Sequence, residues 1–150
     1  MKVSVPKRYL PKGLTRKDQK RQREYLKKSR KMYRKGQYFS RPKVASFKSQ
    51  KSKHVLKAER IYKVQAVKPS VELAKKTGCS VFALNQIVKK GQGAYYSSGS
   101  RPNQTARSWG LARLASSITG GKASSVDFSI LDKGCNHNGR AYKLAKNQPR

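Results

Sequence analysis

The fold class is decided by the stretch Pro69-Ser-Val-Glu-Leu-Ala-Lys-Lys-Thr-Gly-Cys-Ser-Val-Phe-Ala-Leu-Asn-Gln-Ile87. Ser70 is a typical N-cap for a short helix, and Gly78 supplies the left-handed turn that ends this helix. A second helix follows, with Leu84 and Ile87 on its apolar face. Two helices joined by so short a turn predict a mainly α fold, a small helical body that contains a helix-turn-helix-like unit.

The second helix of this pair carries the residues that would face a nucleic acid. In DNA-binding helix-turn-helix proteins the second helix lies in the major groove. By that comparison Val81, Phe82 and Asn85 lie on or near the groove-facing side. The candidate nucleic-acid or anion contacts are Asn85, Lys89, Lys90 and Arg101. The alternative is that the two helices are simply a compact corner of an α domain.

The body is predicted to span residues 53–135. Helices are expected from about Ser52 to Lys63 and from Thr105 to Thr119, the latter with Trp109 as the largest core side chain. Between them, Gly91–Thr105 is rich in Gly and Ser and predicts an ordered loop. A last helix is expected to open with the capping box Ser124–Asp127 and to end at Gly134. A polar, basic tail, 136–150, follows.

A long basic arm, residues 1–52, precedes the body. Its helix, about 16–35, is predicted from the capping box at Thr15–Asp18 and from Gly36, and an extended strap is predicted over 37–52. An arm of this kind is expected to be disordered unless a partner holds it. Its partner-binding residues are predicted to be the apolar and aromatic ones, Tyr25, Leu26, Met32, Tyr33, Tyr38, Phe39 and Phe47. The aromatic ones are expected to fit grooves of a protein neighbour, although they could also stack on bases.

The charge of the chain indicates a polyanionic partner. The sequence holds 37 Lys and Arg against 6 Asp and Glu in 150 residues, a formal net charge of +31. About two thirds of this excess lies in residues 1–68. Excess charge of this size is normally neutralised by phosphates or by acidic protein surfaces. We therefore expect a component of an assembly. The longest clearly apolar run, Val81–Leu84, is too short to span a bilayer, and the charged start lacks the apolar segment of a signal peptide.

The two cysteines have no recognisable ligand spacing. Cys79 and Cys135 lie 56 positions apart, and we expect two reduced, buried thiols. A zinc site with His54 and His137 is an alternative, but zinc ligands usually come in closely spaced pairs. A disulfide is a further alternative.

No catalytic constellation is visible, so we expect that the protein is not an enzyme and needs no cofactor, metal or small-molecule substrate. Asp18 and Asp127 are accounted for as helix caps, and three glutamates have lysine partners four residues on. Paired carboxylates for acid-base chemistry are therefore absent from the pattern.

Several strings resemble a domain family of unassigned function found in large nucleocytoplasmic DNA viruses, including algal viruses. They are Thr77-Gly-Cys-Ser80, Gly91–Thr105, Ser108-Trp-Gly110, Ala112-Arg-Leu-Ala-Ser116 and Ile118-Thr-Gly-Gly-Lys-Ala-Ser124, with weaker basic strings upstream. The resemblance ends near Cys135 and transfers no catalytic or binding residue. It implies a viral origin.

From this resemblance and the charge we expect a virion structural protein. It would be a minor capsid protein in the inner layer of a large icosahedral shell, assembled in the host cytoplasm. Its arm would bridge major capsid protein subunits and other minor capsid proteins, with viral DNA or acidic membrane headgroups as further partners. One alternative is a helix-turn-helix DNA-binding or packaging protein. Another is a ribosome-like RNA-binding component, since ribosomal proteins share the plan of an arm and a body.

Overall fold

The structure, a computed structural model, describes residues 5–48 and 51–149 and has the mainly α fold that the sequence predicts. Within those ranges lie a short 3-10 helix, Lys7–Tyr9, and eight α-helices: α1 (Arg16–Arg34), α2 (Lys53–Tyr62), α3 (Val71–Thr77), α4 (Val81–Ser97), α5 (Ala106–Ile118), α6 (Lys122–Val126), α7 (Phe128–Gly134) and α8 (Arg140–Lys146). None of the helices described is long and apolar enough to cross a lipid bilayer. Residues 1–4 of the predicted arm, 49–50 of the strap and 150 of the tail lie outside the described residues.

The chain divides into two compact units. The first combines Met1–Gln50, as far as it is described, with Gln92–Trp109. The second combines Lys51–Gly91 with Gly110–Arg150, likewise as far as it is described. Helices α4 and α5 each contribute residues to both units. The predicted arm therefore shares a unit with a later segment of its own chain.

The first unit is built around α1, which begins and ends close to where the sequence predicts. The Thr15 side chain accepts a hydrogen bond from the backbone N–H of Asp18, and Gly36 follows the helix with a φ of +77°. Residues 37–48 form neither helix nor strand. The buried apolar residues of this unit are Tyr9, Leu14, Leu26, Val44 and Tyr95.

The second unit has the larger core. Its central buried side chains come from α2 to α5, α7 and α8, and include Leu73, Leu84, Ile87, Leu114, Ile118 and Leu131. The Tyr62 hydroxyl donates a hydrogen bond to the Ile118 carbonyl, and burial raises the pKa of Tyr62 to about 12. Because the hydroxyl has a backbone acceptor, this large residue is buried without an unsatisfied polar group.

The prediction of two reduced thiols is wrong, because Cys79 and Cys135 form a disulfide. An antiparallel backbone bridge brings the two residues together. The N–H of Ser80 donates to the Gly134 carbonyl at 2.8 Å, and the N–H of Asn136 donates to the Gly78 carbonyl at 2.7 Å. The disulfide uses both sulfurs, so neither is free for the alternative zinc site. No group of three or more potential metal ligands occurs within the described ranges.

The predicted loop at Gly91–Thr105 is half wrong, because α4 continues through this stretch to Ser97. The glycine at position 91 serves helix packing. A Cβ on Gly91 would lie 2.6 Å from the Cα of Gly110, so a side chain there would collide with backbone. The irregular segment that remains covers 98–105.

The last predicted helix is also different in detail. The capping box at Ser124–Asp127 is not formed, since α6 ends at Val126 and α7 begins at Phe128 without a side-chain cap. Asp127 is instead fully buried and accepts hydrogen bonds from Arg113 and Ser117. Its carboxylate holds α5 against the break between α6 and α7.

The C-terminal tail and Trp109 also depart from expectation. The tail forms α8, whose Ala141 and Ala145 are fully buried in the core of the second unit. Two alanines four residues apart give only a weak amphipathic pattern. The basic residues around them make the segment look like a polar tail in the sequence. Trp109 is only partly buried and packs edge-on against Tyr9, with ring centroids 6.0 Å apart, in the first unit.

Candidate nucleic-acid interface

The buried residues of α1 make their contacts within the first unit. Leu26 is fully buried, and its side chain lies where a Cβ on Gly99 would have to go. Gln22, also buried, donates to the carbonyls of Tyr9 and Ser100, both at 3.3 Å. Leu26, one of the predicted partner-binding residues, is thus covered by its own unit, whereas Tyr33 is exposed.

The aromatic residues predicted to bind a partner contact one another. Tyr25 packs against Phe39 with ring centroids 6.3 Å apart, and Tyr38 packs against Tyr33 and Tyr96 at 6.2 and 4.9 Å. The other predicted residues, Met32 and Phe47, are half-buried. Tyr38 remains 69% exposed, so it keeps a surface that another molecule can contact.

Arg41, which the sequence did not single out, joins the strap to α1 and α4. Its guanidinium donates to the Ser29 hydroxyl at 2.9 Å, to the Tyr95 carbonyl at 2.7 Å and to the Ser100 hydroxyl at 2.6 Å. It also lies over the Tyr95 ring, 3.7 Å from the centroid. Burial lowers the pKa of Arg41. Neutral acceptors and a ring face therefore hold this buried cation.

A second contact ties the strap to the beginning of α1. Asp18 is buried and accepts hydrogen bonds from the Ser46 hydroxyl at 2.5 Å and from the Ser46 N–H at 2.9 Å. These hydrogen bonds hold the pKa of the Asp18 carboxyl below its ordinary value of 3.8. The capping box predicted here is thus only half present. Thr15 caps the helix, whereas Asp18 binds the strap.

The face of α1 opposite its buried residues is a continuous row of cations. At about 100° per residue, six basic positions of α1 fall within an arc of about 80°. They extend over about 27 Å of the helix axis. We call these residues the basic stripe: Arg16, Lys20, Arg23, Lys27, Lys31 and Arg34, all exposed. None of the six has an ion-pair partner among residues 5–48 and 51–149. The spacing of these cations is visible in the sequence, because they recur every three or four residues.

In the second unit, the turn between α3 and α4 is fixed by several contacts. The Ser70 hydroxyl caps α3 by accepting from the Leu73 N–H, and Gly78 ends it with a φ of +82°. The Ser80 hydroxyl accepts from the N–H of Ala83 at the start of α4, at 3.0 Å. The order of helix, short turn and helix is as predicted, while a DNA-binding geometry of the pair stays a prediction.

The exposed face of α4 contains the predicted contacts Asn85 and Lys89. Ala83, Leu84, Ile87 and Val88 are buried on the other side. We call four exposed residues that share one side of the helix the α4 face: Phe82, Asn85, Gln86 and Lys89. Lys90 and Ser97 are exposed as well but lie outside the arc that these four cover. Gln86 was not predicted, but helical spacing alone places it beside Asn85 and Lys89. Phe82 is 72% exposed, so its ring is accessible on this face.

The other two predicted contacts lie elsewhere. The ammonium of Lys90 is 3.7 Å from a carboxylate oxygen of Asp127, so it is directed toward the break between α6 and α7. Arg101 is exposed but belongs to the first unit. The four predicted contacts therefore do not form one cluster within either unit.

Residues 6–136 match the model of a protein family described as a family of unknown function (DUF5824). The chain belongs to this family. No curated protein matches the chain, and no solved structure matches it. The DUF5824 region contains the basic stripe, the strap and the α4 face, and it ends directly after Cys135, before α8. The surfaces described above are thus surfaces of the DUF5824 region.

Proposed function

We propose that the protein is a non-enzymatic nucleic-acid-binding protein that holds the phosphate backbone through the basic stripe of α1. The observation that carries this proposal is the row of six exposed cations on one helix face. Neighbouring members are three or four residues apart, which is about 4.5 to 6 Å along the axis. A regular line of cations matches a polymer of phosphates better than it matches an irregular protein surface.

The burial of the arm's apolar side chains changes the balance between the two main hypotheses. An arm that binds grooves of capsid subunits needs apolar side chains that are exposed before assembly. Leu26, Leu14 and Val44 are instead buried in the first unit. The charge has no such internal use, since 37 basic residues face 6 acidic ones. Apart from the exposed Tyr33 and Tyr38 rings, charge is therefore the property of this unit that is left to act on a partner, and phosphate contacts would release counterions from the nucleic acid.

The proposal is tested by binding of a random-sequence DNA duplex, measured by fluorescence anisotropy at fixed salt. The triple variant Lys20→Gln, Lys27→Gln, Lys31→Gln removes three charges from the basic stripe. Its affinity is expected to fall roughly 100-fold, because each lost phosphate contact forgoes the release of about one counterion.

The matched control removes the same charge from exposed lysines of the second unit, by Lys57→Gln, Lys133→Gln and Lys143→Gln. Its affinity is expected to stay within about threefold of wild type, because salt screens charges that do not touch the nucleic acid. Equal losses in the two variants would show that only net charge matters, and the basic stripe would lose its assigned role.

A second candidate function is the virion structural role, a minor capsid protein that bridges major capsid subunits. The exposed ring of Tyr38, with Tyr33 and Tyr96 beside it, supports this candidate, since such aromatic clusters are common in protein interfaces. Cross-linking of purified virions would test it. Cross-links from Lys35 or Lys43 to the major capsid protein are expected, and their absence while links within the chain are recovered would count against it.

A further inference from the structure

The α4 face presents its four side chains as one short, ordered row. Phe82, Asn85, Gln86 and Lys89 fall within an arc of about 100° and span about 10 Å of helix axis. The major groove of B-DNA is about 12 Å wide and admits an α-helix. A row of this length would cover a few base pairs.

We propose that the α4 face enters the major groove of duplex DNA and reads base edges there. Asn and Gln amides are suited to bidentate hydrogen bonds with adenine, and an aromatic ring can contact the thymine methyl group. Lys89 supplies a cation for guanine or for a phosphate. This inference rests on the proposed function, since it requires that the chain binds DNA, and it adds a reading surface in the other unit.

The support beneath α4 matches what a reading helix requires, a fixed position for its first turns. The Cys79–Cys135 disulfide lies two residues before the helix begins. A Cβ on Gly134 would lie 2.4 Å from the Cβ of Ala83, so α7 is seated directly on the buried side of α4. Side chains on a helix held in this way are pre-organised, which lowers the entropic cost of binding.

The character of the face favours duplex DNA over other occupants. The face itself carries one cation, Lys89, and no acid, and the last turn of α3, just before the turn that leads into α4, adds Lys75 and Lys76, of which Lys76 is paired with Glu72 at 3.4 Å. Two exposed amides in the middle of the row are unsuited to an apolar protein contact, where they would be buried without partners. Duplex RNA is disfavoured because its deep, narrow major groove does not admit a helix.

The test is selection of duplexes from a random library, followed by comparison of the selected duplex with a scrambled one at the same salt. The wild-type chain is expected to prefer the selected duplex by roughly tenfold or more, as one or two specific base contacts would give. The variant Asn85→Ala, Gln86→Ala is expected to lose that preference while it binds the scrambled duplex as wild type does.

The control variant Asn138→Ala, Asn147→Ala removes two exposed amides elsewhere in the second unit and is expected to keep the preference. Circular dichroism verifies that both variants fold. A wild-type chain that binds all duplexes equally would overturn the inference and leave the proposed function intact. Preference that survives in the α4 variant would overturn the assignment to this face, and absence of any DNA binding would overturn both proposals.

Discussion

At the scale of single residues, the first unit depends on buried and half-buried polar side chains that bridge distant parts of the chain. Arg41 and Asn103 are the clearest cases. Asn103 accepts from the N–H of Val44 at 2.7 Å and donates to the Phe47 carbonyl at 2.8 Å, across more than 50 positions of sequence. These bonds fix the path of residues 44–47 of the strap, because a donor or acceptor that is removed from water needs a partner.

Replacement of Arg41 by Met is expected to destabilise the protein by about 3 kcal/mol, because the buried Ser29 and Ser100 hydroxyls and the Tyr95 carbonyl lose their donor. Urea denaturation followed by circular dichroism measures this change. Lys43→Met, an exposed change two positions away, is the control and is expected to stay within about 0.5 kcal/mol of wild type. Equal stability of the two variants would contradict the role of Arg41.

The Asp18 carboxylate is expected to make stability depend on pH in the acid range. Its pKa in the folded protein is below the ordinary 3.8, chiefly because of the hydrogen bonds from Ser46, so the charged form is favoured by folding. This contribution is fully present above the unfolded-state pKa and is lost as pH falls through the folded-state pKa.

The measurement compares wild type with Asp18→Asn in urea denaturation at several pH values. Wild type is expected to be the more stable at pH 6, and the difference is expected to shrink as pH is lowered below 3.8. A difference that is constant over this range would show that ionisation of Asp18 contributes nothing.

Residue-scale features of the site could be predicted only where they follow from helical periodicity. Leu26 lies on the buried stripe as the period requires, and Asn85 and Lys89 lie on an exposed face. Arg41 and Asn103 could not be found in this way, since their partners are set by tertiary contacts. An arginine in a basic arm also looks like one more surface charge.

At the scale of elements, local signals predicted the helices with clear caps. Ser70 and Gly78 delimit α3, and Thr15 and Gly36 delimit α1, as the cap residues indicate. The loop is predicted to begin at Gly91 because the stretch is rich in glycine, which often ends a helix. Glycine also allows two helices to pack closely, and this is its role at position 91. The position of α5 beside Gly91 decides between these two roles, and the sequence around Gly91 does not specify where α5 lies.

The two uses of glycine in α4 give a matched pair of variants. Gly91→Ala is expected to lower the melting temperature, since the new methyl group meets the Gly110 backbone at 2.6 Å. Gly93→Ala is expected to raise it, by roughly 0.5 to 1 kcal/mol of stability, because nothing lies within 4 Å and alanine is the better helix former. Thermal melts that move in the same direction would refute the packing of α4 on α5 at this point.

At the scale of the whole molecule, part of the charge of +31 lies on one defined surface. Leu14, Leu26 and Val44 of the arm are buried in the first unit, and six of the arm's cations form the basic stripe on the opposite side of α1. The charge excess and the mainly α fold were both predictable from composition and pattern. The division into units was not, because the first unit joins segments separated by more than 40 residues of sequence.

The most direct test of phosphate binding by the basic stripe is the salt dependence of duplex affinity, plotted as the logarithm of the association constant against that of the KCl concentration. If all six cations contact phosphates, the wild-type slope is expected to be about −5. The variant Lys20→Gln, Lys27→Gln, Lys31→Gln is expected to show a slope shallower by about 3, since three contacts are lost. An identical slope in the variant, or a wild-type slope near zero, would contradict the account.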